Sequence, residues 1–370
     1  MKGRYMMEGK MQVLHIVNRD KFSSGYINFM KVYMTEYEHA FVLKKDGFEL
    51  ELVDSENVYF VDELYKMFSD NKVANLLKNA EKIIYSGVFS KRTVMLMPSR
   101  LIRKTYFHFW GGDFYCFRDE DVNVRDRLRR IVCYKQFKKC AGSIFLIDGE
   151  DKAFKKITGI STKSFLAPMP MDPNKTIDLH CFNNNAGLGE KLRIILGNSA
   201  TKENCHKEAL DKLACYKGEN FEVICPLSYG DEEYGEEIAV YGKKLLGEKF
   251  IPITEFMAKE KYVELLSSCS VGIFNNDRQQ AMGNINMLLV LGKKVFLREN
   301  TSMWKTYNDA GYEVSNINQV GELPWAQLIA FRDESKIKNI KIRDEMSSVK
   351  RVAEKWQAVF DDCINEKHGG

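Results

Sequence analysis

The chain has 370 residues, 45% hydrophobic and 29% charged, the composition of a globular protein too long for one ordinary core. Its 55 Lys and Arg against 51 Asp and Glu leave a net charge of only +4, so the balance does not argue for nucleic acid and any basic surface is local. Nine cysteines without a CxxC pair or zinc-ligand spacing, behind a polar start that offers no export signal, predict reduced thiols in a cytoplasmic protein.

A buried strand is expected at 13–17, followed by a loop holding Asn18, Arg19, Asp20, Ser23, Ser24 and Gly25. Further apolar runs predict strands at 40–43, 58–60, 82–85, 105–109 and 143–147, with helical segments between them, for example at 62–79. Strands alternating with helices predict a parallel sheet covered on both faces. No apolar run approaches the roughly 18–20 residues that span a bilayer, so membrane contact is expected to be peripheral.

The strand at 105–109 is aromatic and stops at Gly111 and Gly112, with Trp110 before them and Asp113, Phe114 and Tyr115 after. Glycines there clear space, aromatics exclude water, and Asp113 stands where a general base would be useful. Such a base takes the proton from an acceptor hydroxyl as it attacks an anomeric carbon. A Gly-Gly turn capped by Asp113 accounts for the same residues, and His108 inside the strand also fits a core histidine. Acceptor-side positions are thus His108, Trp110, Gly111, Gly112 and Tyr115.

Asp119-Glu120-Asp121 has the letters of a DxD metal motif, but acids also suit the start of the helix that follows, and no metal is expected. That helix, 124–140, carries Arg125, Arg127, Arg129, Arg130, Lys135, Lys138 and Lys139, with Val124, Leu128, Ile131, Val132 and Phe137 toward one face. A basic amphipathic helix is suited to anionic lipid, so Arg125, Arg129, Arg130, Lys135 and Lys138 are expected to face a membrane. A surface helix with solvated charges accounts for the same pattern.

Prolines at 168, 170 and 173, followed by Asn183, Asn184, Asn185, Gly187 and Gly189, mark a linker over 176–190. It separates a first domain, 1–175, from a second, 191–325, with a helical segment at 326–370. The second domain opens a new alternation, with strands at 192–196, 221–226, 250–253, 271–274 and 295–297. Helices are expected at 202–216, 232–246, 255–268, 282–291 and 301–310.

Gly197, Asn198 and Ser199 follow the first of these strands, and small polar residues beside a glycine can meet phosphate or sugar oxygens. The spacing is not GxGxxG, which disfavours NAD. Ser228 and Tyr229 follow the next strand. Arg278, Gln279 and Gln280 fill the loop after 271–274, and Gly283 and Asn284 open the next helix, an arrangement suited to a diphosphate.

Two doubly wound, Rossmann-like α/β domains facing a cleft, followed by C-terminal helices, is the GT-B plan, shared in outline by dinucleotide-binding enzymes and two-domain binding proteins. The chain also resembles glycosyltransferase family 56, the TDP-4-acetamidofucose:lipid-linked-disaccharide transferases of enterobacterial common antigen synthesis. The resemblance is carried by 108–115 (HFWGGDFY), 195–199 (ILGNS), 169–172 (MPMD), 278–280 (RQQ) and 297–300 (LREN) with Trp304, and covers most of 105–305. Gly112 stands where the family usually has alanine, and Ala281-Met282-Gly283 where it has Gly-Ile-Gly.

The resemblance implies a metal-independent, cytoplasmic GT-B enzyme peripheral to the inner membrane. It would move a deoxyamino sugar of the fucosamine type from a TDP- or UDP-linked donor to a lipid-linked glycan, with no further cofactor. In that scheme Asp113 is the base, and Gly197, Asn198, Ser199, Arg278, Gln279 and Gln280 are donor-side residues. A non-catalytic nucleotide-sugar sensor in a glycan assembly complex is the rival expectation.

Overall fold

The computed structural model describes residues 10–118, 123–170 and 191–362. The acidic triplet Asp119-Glu120-Asp121, the positions Met171 and Asp172, and the expected linker all lie outside the described residues. The chain divides into two units, Met1–Thr176 with Val349–Gly370, and Ile177–Ser348.

The first unit holds a seven-stranded parallel sheet: β1 (Gln12–Val17), β2 (Glu38–Lys44), β3 (Val58–Val61), β4 (Lys82–Ser86), β5 (Thr105–Phe109), β6 (Gly142–Phe145) and β7 (Ser164–Leu166). Their spatial order is β3-β2-β1-β4-β5-β6-β7, so the chain reverses direction across the sheet between β1 and β4. The helices are α1 (Ser23–Tyr33), α2 (Asn71–Asn79), α3 (Lys91–Leu96), α4 (Ser99–Ile102), α5 (Gly112–Tyr115), α6 (Val124–Phe137) and α7 (Glu150–Thr158). Alternate residues of one strand feed opposite faces: Ile83 and Tyr85 of β4 join one apolar cluster, Ile84 the other. That is the pattern of a sheet buried on both sides.

The second unit repeats the plan with β8 (Leu192–Leu196), β9 (Phe221–Pro226), β10 (Phe250–Ile253), β11 (Val271–Phe274), β12 (Lys294–Leu297) and β13 (Ser315–Asn316), ordered β10-β9-β8-β11-β12-β13. Here the reversal falls between β8 and β11. Its helices are α8 (His206–Leu213), α9 (Glu232–Leu246), α10 (Lys259–Ser268), α11 (Met282–Val290), α12 (Ser302–Asp309), α13 (Trp325–Ile329) and α14 (Asp333–Ser347). The last helix, α15 (Val349–Phe360), belongs to the first unit. It lays Val352, Trp356, Val359 and Phe360 on the sheet face that includes Tyr26, Phe41, Ile84 and Tyr106.

Three expectations are corrected. The helix at 62–79 is broken, because Asp70 caps a fresh start by accepting from the Val73 N–H at 2.9 Å after a short 3-10 turn at Leu64–Phe68. The segment 202–216 breaks at Cys205, whose φ of 48° lies in the left-handed region. The C-terminal stretch is not one helical appendage: α13 and α14 sit within the second unit, whereas α15 completes the first.

Candidate active site

In a doubly wound sheet the loops beyond the carboxyl ends of the strands flanking the reversal form a ready crevice. In the second unit those strands are β8 and β11, which deliver Gly197-Asn198-Ser199 and the 275–280 loop. Gly197 has a φ of 66°, and a Cβ there would sit 2.7 Å from His206 Nε2 and 2.8 Å from Asn204 Oδ1, so no larger residue fits.

Asn204 ties the loops together. Its Oδ1 accepts from the Asn198 N–H (3.1 Å) and from Asn276 Nδ2 (3.0 Å), while its Nδ2 donates to Thr201 Oγ1 (2.8 Å) and Ser199 Oγ (3.3 Å). Gln280 Nε2 donates to the same two hydroxyls, each at 3.0 Å. Asn198 Nδ2 reaches across to the Tyr229 hydroxyl at 2.7 Å, bringing in the loop after β9. Three expected groups, Gly197-Asn198-Ser199, Tyr229 and Gln279-Gln280, therefore meet in one polar cluster. Ser228, half-buried, adjoins Tyr229 in the chain, and Tyr229 is exposed.

Within this cluster the amide oxygens of Asn198, Asn275, Asn276 and Gln279 are buried without a hydrogen-bond partner. Buried acceptors call for donors. A surplus of carbonyl oxygens suits hydroxyl or amino groups of a sugar, or ordered water, and repels phosphate oxygens.

Arg278 is not a solvated cation. Its Nε donates to Glu203 Oε1 at 3.0 Å and its Nη1 to the Gln279 carbonyl at 3.1 Å. Burial works to raise the Glu203 carboxyl, yet the Arg278 guanidinium, with hydrogen bonds from the Glu203 backbone N–H and from Thr201, outweighs it and holds Glu203 below its usual value. Helix α11 starts after Ala281, whose φ of 59° is left-handed and whose side chain has no oxygen to cap the first N–H groups. Gly283 faces open space, so a ligand can approach the backbone there. Asn284 turns aside: its Nδ2 donates to the Tyr262 hydroxyl at 2.7 Å.

In the first unit the reversal lies between β1 and β4. Asn18 Nδ2 donates to the Gly87 carbonyl at 2.5 Å, linking the two loops. Asp113 lies beside this junction, buried, and accepts from the N–H groups of Val88 (2.9 Å) and Trp110 (3.0 Å). Burial raises its carboxyl to about 6, and the backbone N–H groups of Trp110 and Val88 hold it from rising further. A carboxylate that titrates near neutrality and is held by two amides can serve as a proton acceptor; it also fixes the Val88 loop. Trp110 stands between Phe22 and Phe89, with ring centroids 5.8 and 5.9 Å away, both edge-on. Phe22 and Phe89 are exposed, so the three rings form an aromatic wall beside Asp113.

Two acceptor-side expectations are overturned. His108 is fully buried on β5, with Nδ1 2.8 Å from Ser86 Oγ and the ring edge-on to Trp356 at 5.1 Å; burial lowers it to about 3. Tyr115 stacks on Phe114 at 4.5 Å and donates to Glu150 Oε1 at 2.9 Å, inside the core. Gly111, with a φ of 96°, and Gly112 form the turn into α5 as expected.

The membrane-facing expectation divides. Arg125, Lys135 and Lys138 are exposed, and Arg129 is exposed but paired with Asp126 at 2.9 Å. Arg130 turns inward, donating to the Phe117 (3.2 Å) and Cys116 (3.3 Å) carbonyls. Among the described residues, no group of three His, Cys, Asp or Glu could hold a metal, and no helix is long and apolar enough to cross a membrane.

Phe22, Phe89, Glu203, Asn204 and Asn276 were not foreseen as site residues. The Asn275-Asn276 pair directly after an apolar strand was the one signal available for them.

A family model described as 4-alpha-L-fucosyltransferase, glycosyl transferase group 56, matches residues 31–320. The chain belongs to that family. It is accordingly a glycosyltransferase, acting on a nucleotide-sugar donor. Solved structures agree on the fold. HepE from Anabaena, in complex with UDP and glucose, is 12% identical over 95% of this chain and 99% of its own, with a TM-score of 0.65. A glycosyltransferase from Rickettsia africae ESF-5 is also 12% identical, over 97% and 99%, with a TM-score of 0.63. WaaG, a glycosyltransferase of lipopolysaccharide biosynthesis, is 10% identical over 95% and 100%, with a TM-score of 0.60. The two parallel-sheet units are those of a GT-B member of family 56.

Proposed function

We propose that this family-56 enzyme transfers a deoxyamino sugar of the fucosamine type from a TDP- or UDP-linked donor to a lipid-linked glycan precursor. The observation that carries the reading is the cluster at the β8/β11 reversal, where unpartnered acceptors lie beside an uncapped helix start. The acceptors of Asn198, Asn275, Asn276 and Gln279 match the hydroxyl and amino groups of such a sugar. The free N–H groups at the start of α11, with the helix dipole behind them, match the diphosphate.

As the sugar–phosphate bond breaks, charge grows on the leaving diphosphate, and donors already in position stabilise it without reorganising. Arg278 joins them by sharing its guanidinium between Glu203 and phosphate oxygen. Asp113, ionised above about pH 6, receives the proton of the acceptor hydroxyl. The Phe22, Phe89 and Trp110 rings give the acceptor an apolar wall beside Asp113.

The decisive experiment is a transfer assay pairing TDP- and UDP-deoxyamino sugars with a polyprenyl-diphosphate-linked acceptor. Arg278→Ala is expected to cut turnover by ~10²–10³, the usual range for one electrostatic donor. Unchanged turnover in that variant would sink the diphosphate assignment. Nucleoside diphosphate binding without transfer to any acceptor would instead leave a sensor.

A further inference from the structure

We infer that the outer face of α6, with the exposed residues of α3 and α4 packed beside it, docks on the surface of an anionic lipid bilayer. The inner face of α6 is accounted for by the core of its unit. Cys133 and Phe137 are buried, Tyr134 packs on Phe117, and Arg130 and Gln136 are spent on backbone carbonyls of Cys116, Phe117 and Met97. The opposite face is apolar and open: Val124, Leu128 and Ile131 are 73%, 59% and 50% exposed.

Spacings of four and three align these side chains in one stripe, and Lys135, four residues beyond Ile131, extends it. Exposed Arg125, Arg127, Arg129 and Lys138 flank it. Between 123 and 147 the only acid is Asp126, already bound to Arg129.

The neighbouring helices continue the character. On α3, Leu96 is 52% exposed and Arg92 is exposed; Arg100 is exposed on α4, with Arg103 just beyond. Gln136 of α6 donates to the Met97 carbonyl between these helices at 3.0 Å, which fixes them side by side. From 82 to 112 the chain contains no Asp or Glu at all.

Cations ringing an aliphatic stripe identify the occupant. Nucleic-acid phosphates would pair with the arginines and lysines but would leave Val124, Leu128 and Ile131 in water. A bilayer boundary takes both, phosphate headgroups for the cations and acyl chains for the stripe. Each cation near an anionic surface strengthens attachment about fivefold. The inference extends the reading above by naming the surface on which a lipid-linked acceptor is met, and it stands whether or not the sugar assignment is right.

The full chain is floated with vesicles of phosphatidylcholine alone and of phosphatidylcholine with 30% phosphatidylglycerol. Attachment is expected only to the anionic vesicles and weaker at 0.5 M salt. Both the Leu128→Asp/Ile131→Asp variant and the Arg125→Gln/Lys135→Gln/Lys138→Gln variant are expected to lose more than tenfold. Because all five positions are exposed, both variants should keep the thermal shift given by TDP or UDP, so loss of docking reads separately from loss of donor binding. The inference fails if the native chain ignores anionic vesicles or binds neutral ones equally. It fails equally if the aspartate variant still floats, or if a duplex oligonucleotide displaces the vesicles.

Discussion

Adjacent glycines at the turn into α5 have opposite requirements. Gly111 sits at φ 96° and ψ −72°, which side chains rarely adopt, whereas Gly112 lies in the helix, where a Cβ would meet only Phe89 Cε1 at 3.7 Å. Gly112→Ala should stabilise by about 0.4–1 kcal/mol through the unfolded state, and Gly111→Ala should destabilise; melting temperatures of the two variants check this.

For Asp113 the sign is fixed by the raised carboxyl. A group ionising near 6 when folded and 3.8 when unfolded favours the fold below about pH 4 and loses that contribution as pH rises through 6. The loss is on the order of 3 kcal/mol. Denaturant midpoints of native protein and Asp113→Asn should therefore diverge between pH 4 and 7, in favour of the variant at higher pH. Activity should move the other way, rising through about pH 6 in the native enzyme only.

Glu203→Gln makes a further residue-scale prediction. It releases Arg278 from its carboxylate, so nucleoside diphosphate should bind several-fold tighter by calorimetry, and weaker binding would mean that the pair acts only as a brace.

At the scale of elements, the strands buried on both faces were legible because they read as continuous apolar runs; β5, β8, β9 and β11 occupy the expected spans, as does the edge strand β10, whose four residues are all apolar. The edge strands β7 and β13, of three and two residues, are too short to leave such a run. The polar cluster was legible where it depends on local chemistry: Gly197-Asn198-Ser199 directly follows β8, ahead of the 3-10 turn at Lys202–Asn204 that precedes α8.

Phe22 and Phe89 were not legible, because their meeting depends on β4 lying beside β1, and strand order is not written in local pattern. His108 misled for a related reason. Only the arrival of Trp356, some 250 residues later, turns that strand position into core.

Both units use the same device at the foot of a strand. Lys82 opens β4 and donates to the Val359 and Phe360 carbonyls (2.8 and 2.5 Å) at the end of α15. Lys294 opens β12 and donates to the Gln327 and Ala330 carbonyls (3.1 and 3.0 Å) at the end of α13. A cation suits the negative end of a helix and occupies carbonyls that would otherwise be stranded. Lys82→Met should cost on the order of 2–4 kcal/mol, because it strands buried carbonyls and removes a charge-assisted bond; urea denaturation measures it.

At the scale of the whole molecule, chain order and unit membership disagree. The chain leaves the first unit, builds the second, and returns for α15. Trp356→Ala, distant in sequence from the first unit, should therefore destabilise that unit by about 3–5 kcal/mol through the cavity it opens. Hydrogen exchange should report the loss in β1, β4 and β5 and leave β8, β9 and β11 protected. A uniform loss across both sheets would contradict the division.

The late return of α15 bears on how the protein is born. A ribosome releases the opening sheet with the patch reserved for Trp356 and Phe360 still bare, and this persists while the whole following half is translated. At about 5–20 residues per second that interval lasts on the order of ten seconds or more. Nascent chains halted before 349 should accordingly recruit holding chaperones, and those carried past 360 should let them go.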